Sequence, residues 1–119
     1  MEVEVIVADD DPIFCTMIVR FIGMIPGVKV YKARDGDELV RLAKKLRPQI
    51  IFTDYNMPGM NGLEAVVRIK EFLPDVEAVL ITNEGGDRFA ELQREFPGEV
   101  WSKTDLSYPH LKDLLQRHK

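Results

Sequence analysis

Short runs of apolar, β-branched residues alternate along the chain with longer stretches in which apolar residues recur every three to four positions. The short runs cover residues 3–8, 28–31, 50–53, 78–82 and 100–102. Continuous apolar runs of this length, bounded by turn residues, are the pattern of strands buried on both faces, as in a parallel sheet. The longer stretches read as helices. Asp11 caps the first and Pro12 sits in its first turn; it runs to about residue 25, where Pro26-Gly27 stops it. Residues 35–46 place Leu39, Leu42, Ala43 and Leu46 on one face, and Arg47-Pro48 ends that helix. A third begins at Asn61 or Gly62, carries Leu63, Val66, Val67 and Leu73 at helical spacing, and closes at Leu73-Pro74-Asp75. A fourth covers 87–96 and ends at Pro97-Gly98. The last starts near Pro109, capped by Ser107, and continues to the C-terminus.

Five strands alternating with five helices predict an α/β doubly wound sheet with helices on both faces. In such a fold the ligand site lies beyond the carboxyl ends of the strands, at a topological switch point. Those ends carry chemistry. The first strand ends in Asp9, Asp10 and Asp11, the third in Asp54, the fourth in Thr82 and the fifth in Lys103. The second ends in Tyr31-Lys32-Ala33 and offers nothing comparable.

Length and composition narrow the possibilities. The 119 residues make one domain, spanning 1–119, with 45% hydrophobic and 30% charged residues, as in an ordinary globular protein. The net charge of −4 argues against direct nucleic-acid binding, which needs clustered Lys and Arg. The single cysteine, Cys15, excludes an internal disulfide and fits a cytoplasmic location. No signal peptide and no apolar run of membrane-spanning length is visible.

Carboxylates brought together repel, and each resists ionisation while its neighbours are charged. A hard divalent cation relieves that repulsion; Mg²⁺ in particular takes one or two carboxylates plus waters and phosphate oxygens. A carboxylate beside such an ion can attack a phosphoryl group and form an aspartyl phosphate. The transferred group spreads charge over three oxygens, so catalysis is mostly positioning and neutralisation. Lys103 offers a compact positive charge for this task and Thr82 a hydroxyl donor.

The ordered set VIVADDDP, DYNMPGMNGLE, LIT and the late Lys103 resembles the receiver domain of two-component response regulators, over essentially the whole chain. The segment DYNMPGMNG is the most specific part. The resemblance implies a flavodoxin-like doubly wound (βα)5 fold with strand order 2-1-3-4-5. It implies that Asp54 is the phosphoacceptor, that Asp9 and Asp10 hold Mg²⁺ (or Mn²⁺) together with Asp54, and that the backbone carbonyl of Asn56 completes the metal shell. Thr82 matches the switch hydroxyl and Lys103 the lysine that pairs with the acceptor or its phosphoryl group. Met57, Pro58 and Gly62 match the loop that shapes the site. The implied partners are a histidine kinase or phosphotransfer protein as donor, and an output domain or separate effector as receiver of the signal. The domain so implied is a self-assisting phosphoacceptor, also able to dephosphorylate itself, rather than an enzyme in the usual sense. Its segments are most like receivers that precede a helix-turn-helix output domain; a stand-alone receiver and a piece of a longer regulator are both compatible with the sequence.

Three positions depart from that family pattern. Asn83 follows Thr82, where a small residue is usual. Thr104 follows Lys103, where proline is usual. Val100 stands three residues before Lys103, where an aromatic switch residue is common, and strand alternation turns the neighbouring Trp101 to the opposite face. The stretch Asn83-Glu84-Gly85-Gly86 adds glycine to the fourth loop. These departures keep open a phosphorylation-independent protein-binding receiver. A small Mg²⁺-dependent phosphohydrolase is a third reading, weakened because Asn56 stands where an acid/base aspartate would be needed. Elsewhere the plainer readings hold: Cys15, among Ile13, Phe14, Ile18 and Val19, is a small core residue; Met57 and Met60 pack the loop; His110 and His118 are surface residues; and Arg41, Lys44, Lys45 and Arg47 form a solvated helix face.

Overall fold

The computed structural model describes residues 2–118. Its elements in chain order are β1 (Val3–Ala8), α1 (Pro12–Gly23), β2 (Val28–Ala33), α2 (Gly36–Leu46), β3 (Ile50–Thr53), α3 (Gly62–Phe72), β4 (Glu77–Thr82), α4 (Gly86–Glu95), β5 (Glu99–Ser102) and α5 (Tyr108–Gln116). A single 3-10 turn, Lys103–Asp105, follows β5; Ser102 Oγ accepts from Thr104 N at 3.3 Å to hold it. All strand pairs are parallel, in the order β2-β1-β3-β4-β5.

The two-residue period of the strands sorts the core into two layers. Val3, Val5, Val7, Phe52, Val79, Ile81 and Trp101 face one side, against Cys15, Ile18 and Ile22 of α1 and Leu111, Leu114 and Leu115 of α5. Ile6, Ala8 and Ile51 face the other, against Leu39 and Ala43 of α2 and Ala65 and Ile69 of α3. Ala78 and Leu80 extend that second face to Leu92 of α4 and to Phe96. Val100 and Trp101 do face opposite ways: Val100 packs toward α4, while Trp101 lies 5.8 Å from the Phe52 ring and stacks on His110 at 3.7 Å.

Local signals set the helix ends. Asp11 caps α1, its Oδ1 accepting from Ile13 N at 3.0 Å and Phe14 N at 3.4 Å. Asp35, Asn61 and Ser107 cap α2, α3 and α5 in the same way. The first helix stops at Gly23 rather than near residue 25, because the chain turns at Met24 and Ile25, whose N–H groups bond back to Phe21 and Ile22. The strand β2 runs on to Ala33 through pairing of Lys32 and Ala33 with Val7 and Ala8. The two histidines are half-buried and partnered rather than open surface residues: His110 through its stack on Trp101, His118 through its contact with Glu77. No helix among the described residues is long and apolar enough to cross a membrane.

Candidate functional site

From β1 the chain crosses to β2 on one side and later returns to β3 on the other, so a crevice opens beyond the carboxyl ends of β1 and β3. Ala8 pairs with Thr53 in the final register of these strands, and the next residues are Asp9 and Asp54. Asp54 N donates to Ala8 O at 2.9 Å, which ties the second carboxylate to the first strand. One carboxylate oxygen from each of Asp9, Asp10 and Asp54 lies within 4.8 Å of the others. Asp9 and Asp54 are buried and Asp10 is exposed.

Lys103 enters from the far end of the chain. Its Nζ is 3.1 Å from Asp9 Oδ2 and 3.5 Å from Asp54 Oδ2, and it lies 4.2 Å from the Phe14 ring centroid. The remaining acceptor oxygens are held by backbone: Asp9 Oδ1 accepts from Asp11 N at 2.9 Å, and Asp54 Oδ1 from Tyr55 N at 2.8 Å. Burial and the neighbouring Asp9 charge nevertheless push the Asp54 carboxyl up from 3.8 to about 6, against the opposing pull of Lys103 and the Tyr55 N–H. Three oxygens of this kind, beside an open cleft of about 690 Å³ lined by Asp9, Asp10, Lys32 and Pro58, form a donor set suited to a hard divalent cation.

The loop after β3 is closed tightly against the acceptor. Thr53 Oγ1 donates to Asp54 O at 2.9 Å, and Gly62 N donates to Tyr55 O at 2.9 Å. A side chain at Gly62 would stand 2.1 Å from Asp54 O, so only glycine fits there. Met57 is buried beneath this loop, with α2 and α3.

Thr82 ends β4 and is fully buried. Its Oγ1 accepts from Glu84 N at 3.0 Å and is not bonded to the carboxylate cluster. Asn56 is exposed, and its side-chain amide reaches Glu84 Oε1 at 3.5 Å. The fold therefore gathers Asp9, Asp10, Asp54 and Lys103, and leaves Thr82 turned toward its own loop. Sequence reasoning missed Tyr55 and Arg88. The Arg88 guanidinium hydrogen-bonds the Tyr55 hydroxyl and lies 4.9 Å from its ring centroid. Cys15 lines the cleft, but burial, and secondly Asp9, push its thiol up, which keeps it protonated and consistent with a core role.

The family model for the response regulator receiver domain matches residues 5–94. The chain belongs to this family. Among curated relatives, the response regulator GacA of Pseudomonas aeruginosa is 35% identical over 81 residues, 67% of this chain and 38% of that protein. The nitrate/nitrite response regulator protein NarL of Escherichia coli is 38% identical over 68 residues, 56% of this chain and 32% of that protein. The receiver chain thus spans well under half the length of the curated relatives it matches. The signal receiver domain of a NarL response regulator from Mycobacterium tuberculosis superposes with a TM-score of 0.86 at 24% identity, covering 98% of this chain and 95% of that one. That likeness speaks for the fold, which is the flavodoxin-like arrangement with strand order 2-1-3-4-5. Family membership makes the chain a receiver domain of the kind carried by two-component response regulators.

Proposed function

We propose that Asp54 accepts a phosphoryl group from a histidine kinase or phosphotransfer protein, in a reaction that needs a divalent cation at Asp9, Asp10 and Asp54, and that the modified domain binds an output domain or separate effector differently. The observation that carries this reading is the convergence of Lys103 on both buried carboxylates, Asp9 and Asp54, with Asp10 beside them.

In the transfer, an Asp54 carboxylate oxygen forms a bond to phosphorus while the phosphorus–nitrogen bond of the donor imidazole breaks, and its electron pair returns to the ring nitrogen. Asp54 must be ionised to act as nucleophile, and with its carboxyl near 6 it is mostly ionised at neutral pH. The backbone N–H of Tyr55 orients the carboxylate through Oδ1. Lys103, 3.5 Å from Asp54 Oδ2, would neutralise one phosphoryl oxygen, and Thr82 would donate its hydroxyl to another after turning away from Glu84. Asp9, Asp10 and the Asn56 carbonyl would hold Mg²⁺ or Mn²⁺, which supplies neutralisation of the developing charge. Reversal by water, with Asp54 as leaving group, would return the domain to rest. Asn56 carries an amide, which is no proton donor for rapid turnover of phosphate esters, so phosphohydrolase activity is not favoured.

The test is incubation with Mg²⁺ and a small phosphodonor, followed by intact-mass and peptide analysis. A gain of one phosphoryl group at Asp54, absent in Asp54→Ala and without added metal, is expected. No adduct would instead favour the phosphorylation-independent binding module, a reading motivated by Val100 in place of an aromatic and by Thr82 resting on Glu84.

A further inference from the structure

The helix α4 is thinly attached. Leu92 is its one buried residue, Gly85 caps it without a side-chain hydrogen bond, and Gly86 enters at φ +54°. Against this background, Arg88 reaches over to the loop that carries the acceptor. Its guanidinium bonds the Tyr55 hydroxyl, lies 4.9 Å from the Tyr55 ring centroid, and is steadied from within α4 by Glu91 at 3.1 Å and Glu95 at 3.7 Å. Tyr55 is the residue after Asp54 and donates its backbone N–H to the Asp54 carboxylate. Four residues before Arg88, Glu84 holds Thr82 Oγ1 through its own N–H and meets Asn56 through its side chain. Two stitches therefore fasten the segment after β4 to the loop after β3: Glu84–Asn56 from the loop and Arg88–Tyr55 from α4.

We propose that Arg88 and Tyr55 are a positioning pair, a latch that holds the loop after β4, and α4 with it, in the resting arrangement in which the Thr82 hydroxyl faces Glu84. The inference rests on Asp54 being the acceptor. With Val100 on β5, no ring stands at that position to sense Thr82, and Arg88–Tyr55 is a polar contact from α4 to the acceptor loop, beside the packing of the Tyr55 ring on the cluster that contains Leu92. A phosphoryl group that draws Thr82 away from Glu84 displaces the segment carrying Arg88, so the latched and phosphoryl-bound arrangements compete. Linkage then requires that opening the latch strengthens binding of a phosphoryl mimic, and that the mimic loosens α4.

The experiment measures the dissociation constant of beryllium fluoride at saturating Mg²⁺, together with amide exchange of residues 86–92, in the 119-residue chain. The variants are Arg88→Gln, Arg88→Lys, Tyr55→Phe and the double variant Arg88→Gln/Tyr55→Phe. Arg88→Gln should bind the mimic on the order of 5-fold tighter and exchange faster in α4 without it. Arg88→Lys should fall between this variant and the parent, and the double variant should match Arg88→Gln. A merely structural Arg88 would weaken binding on removal; weaker or unchanged binding, or unchanged exchange, overturns the latch. If the parent chain takes no mimic at Asp54, the acceptor reading fails first, and the exchange measurement still decides whether Arg88 fastens α4.

Discussion

Lys103 Nζ lies 3.1 Å from Asp9 Oδ2, joining two residues 94 positions apart at the edge of the sheet, and the same ammonium stands 3.5 Å from Asp54. The lysine side chain is only 10% exposed, so solvent screens these pairs weakly. Removing it leaves two buried carboxylates facing each other without a counter-charge. Lys103→Ala should therefore cost the metal-free protein about 3–5 kcal/mol, read from urea unfolding at pH 7.5. The share of this loss that acts through Asp54 requires that carboxyl to be charged, so it should shrink as pH falls through about 6. A cost below about 1 kcal/mol, the range of a surface pair, would mean the two contacts do not hold in solution.

The Asp54 carboxyl makes a separate prediction about acidity. Its value in the fold, about 6, lies above the ordinary 3.8, first because it is buried and second because Asp9 is near. The folded state thus binds more protons than the unfolded one between roughly pH 4 and 6. Stability from this group is highest below that window, falls as pH rises through it, and is fully reduced above it. At roughly 1.4 kcal/mol for each pH unit, the penalty at neutral pH is on the order of 2–3 kcal/mol. Metal-free Asp54→Asn should exceed the parent in stability by about that amount at pH 7.5, and the difference should close toward pH 4. A difference independent of pH would mean Asp54 is not the strained carboxylate.

Metal should reverse the same strain. The clustered oxygens of Asp9, Asp10 and Asp54 exist only in the folded chain, so Mg²⁺ should raise the melting temperature by several degrees relative to chelator, with about 2.7 kcal/mol gained at 100 times the dissociation constant. Asp10→Asn separates two effects. Its carboxylate is exposed, so solvent screens it and the substitution should stabilise the metal-free fold by less than Asp54→Asn does. It still removes a ligand, and the Mg²⁺-induced shift should drop markedly. Calorimetric melts of the three proteins with Mg²⁺ and with chelator decide the matter; a full shift in Asp10→Asn would remove Asp10 from the ligand set.

The sequence made the sheet legible where burial dominates. The runs 3–8 and 50–53 match β1 and β3 residue for residue, because both strands are central and all their residues but Glu4 are buried. It was less legible at the borders: β4 and β5 each begin one residue earlier, at Glu77 and Glu99, where charge hides a residue that backbone pairing includes. The turn at Lys103–Asp105 depends on Ser102 bonding Thr104, which no period announces. At the site, Asp9, Asp10, Asp54 and Lys103 were readable because each falls at a strand end, and topology alone brings strand ends together. Tyr55 and Arg88 were not. They lie 33 residues apart, one in a loop and one inside a helix, and only the folded placement of α4 reveals their contact.

Two glycines near the acceptor should behave differently on replacement by alanine. Gly59 has φ +73° and open space around its missing side chain. Gly59→Ala therefore meets only the left-handed backbone penalty, about 1–2 kcal/mol, and the metal response should survive. Gly62 has ordinary room in its dihedrals but none in its surroundings, since a Cβ would stand 2.1 Å from Asp54 O and 3.1 Å from Thr53 Oγ1. Both neighbours are fixed, Thr53 Oγ1 by its bond to Asp54 O and the loop by Gly62 N on Tyr55 O. Gly62→Ala can be accommodated only by moving α3 or the backbone of Asp54 itself. Overpacking of this kind costs about 1–3 kcal/mol or more, and the Mg²⁺-induced rise in melting temperature should fall with it, because the carboxylate is displaced from Asp9 and Asp10. Equal losses of stability and of metal response in the two variants would mean that the close approach of α3 to Asp54 does not set the geometry of the carboxylate cluster.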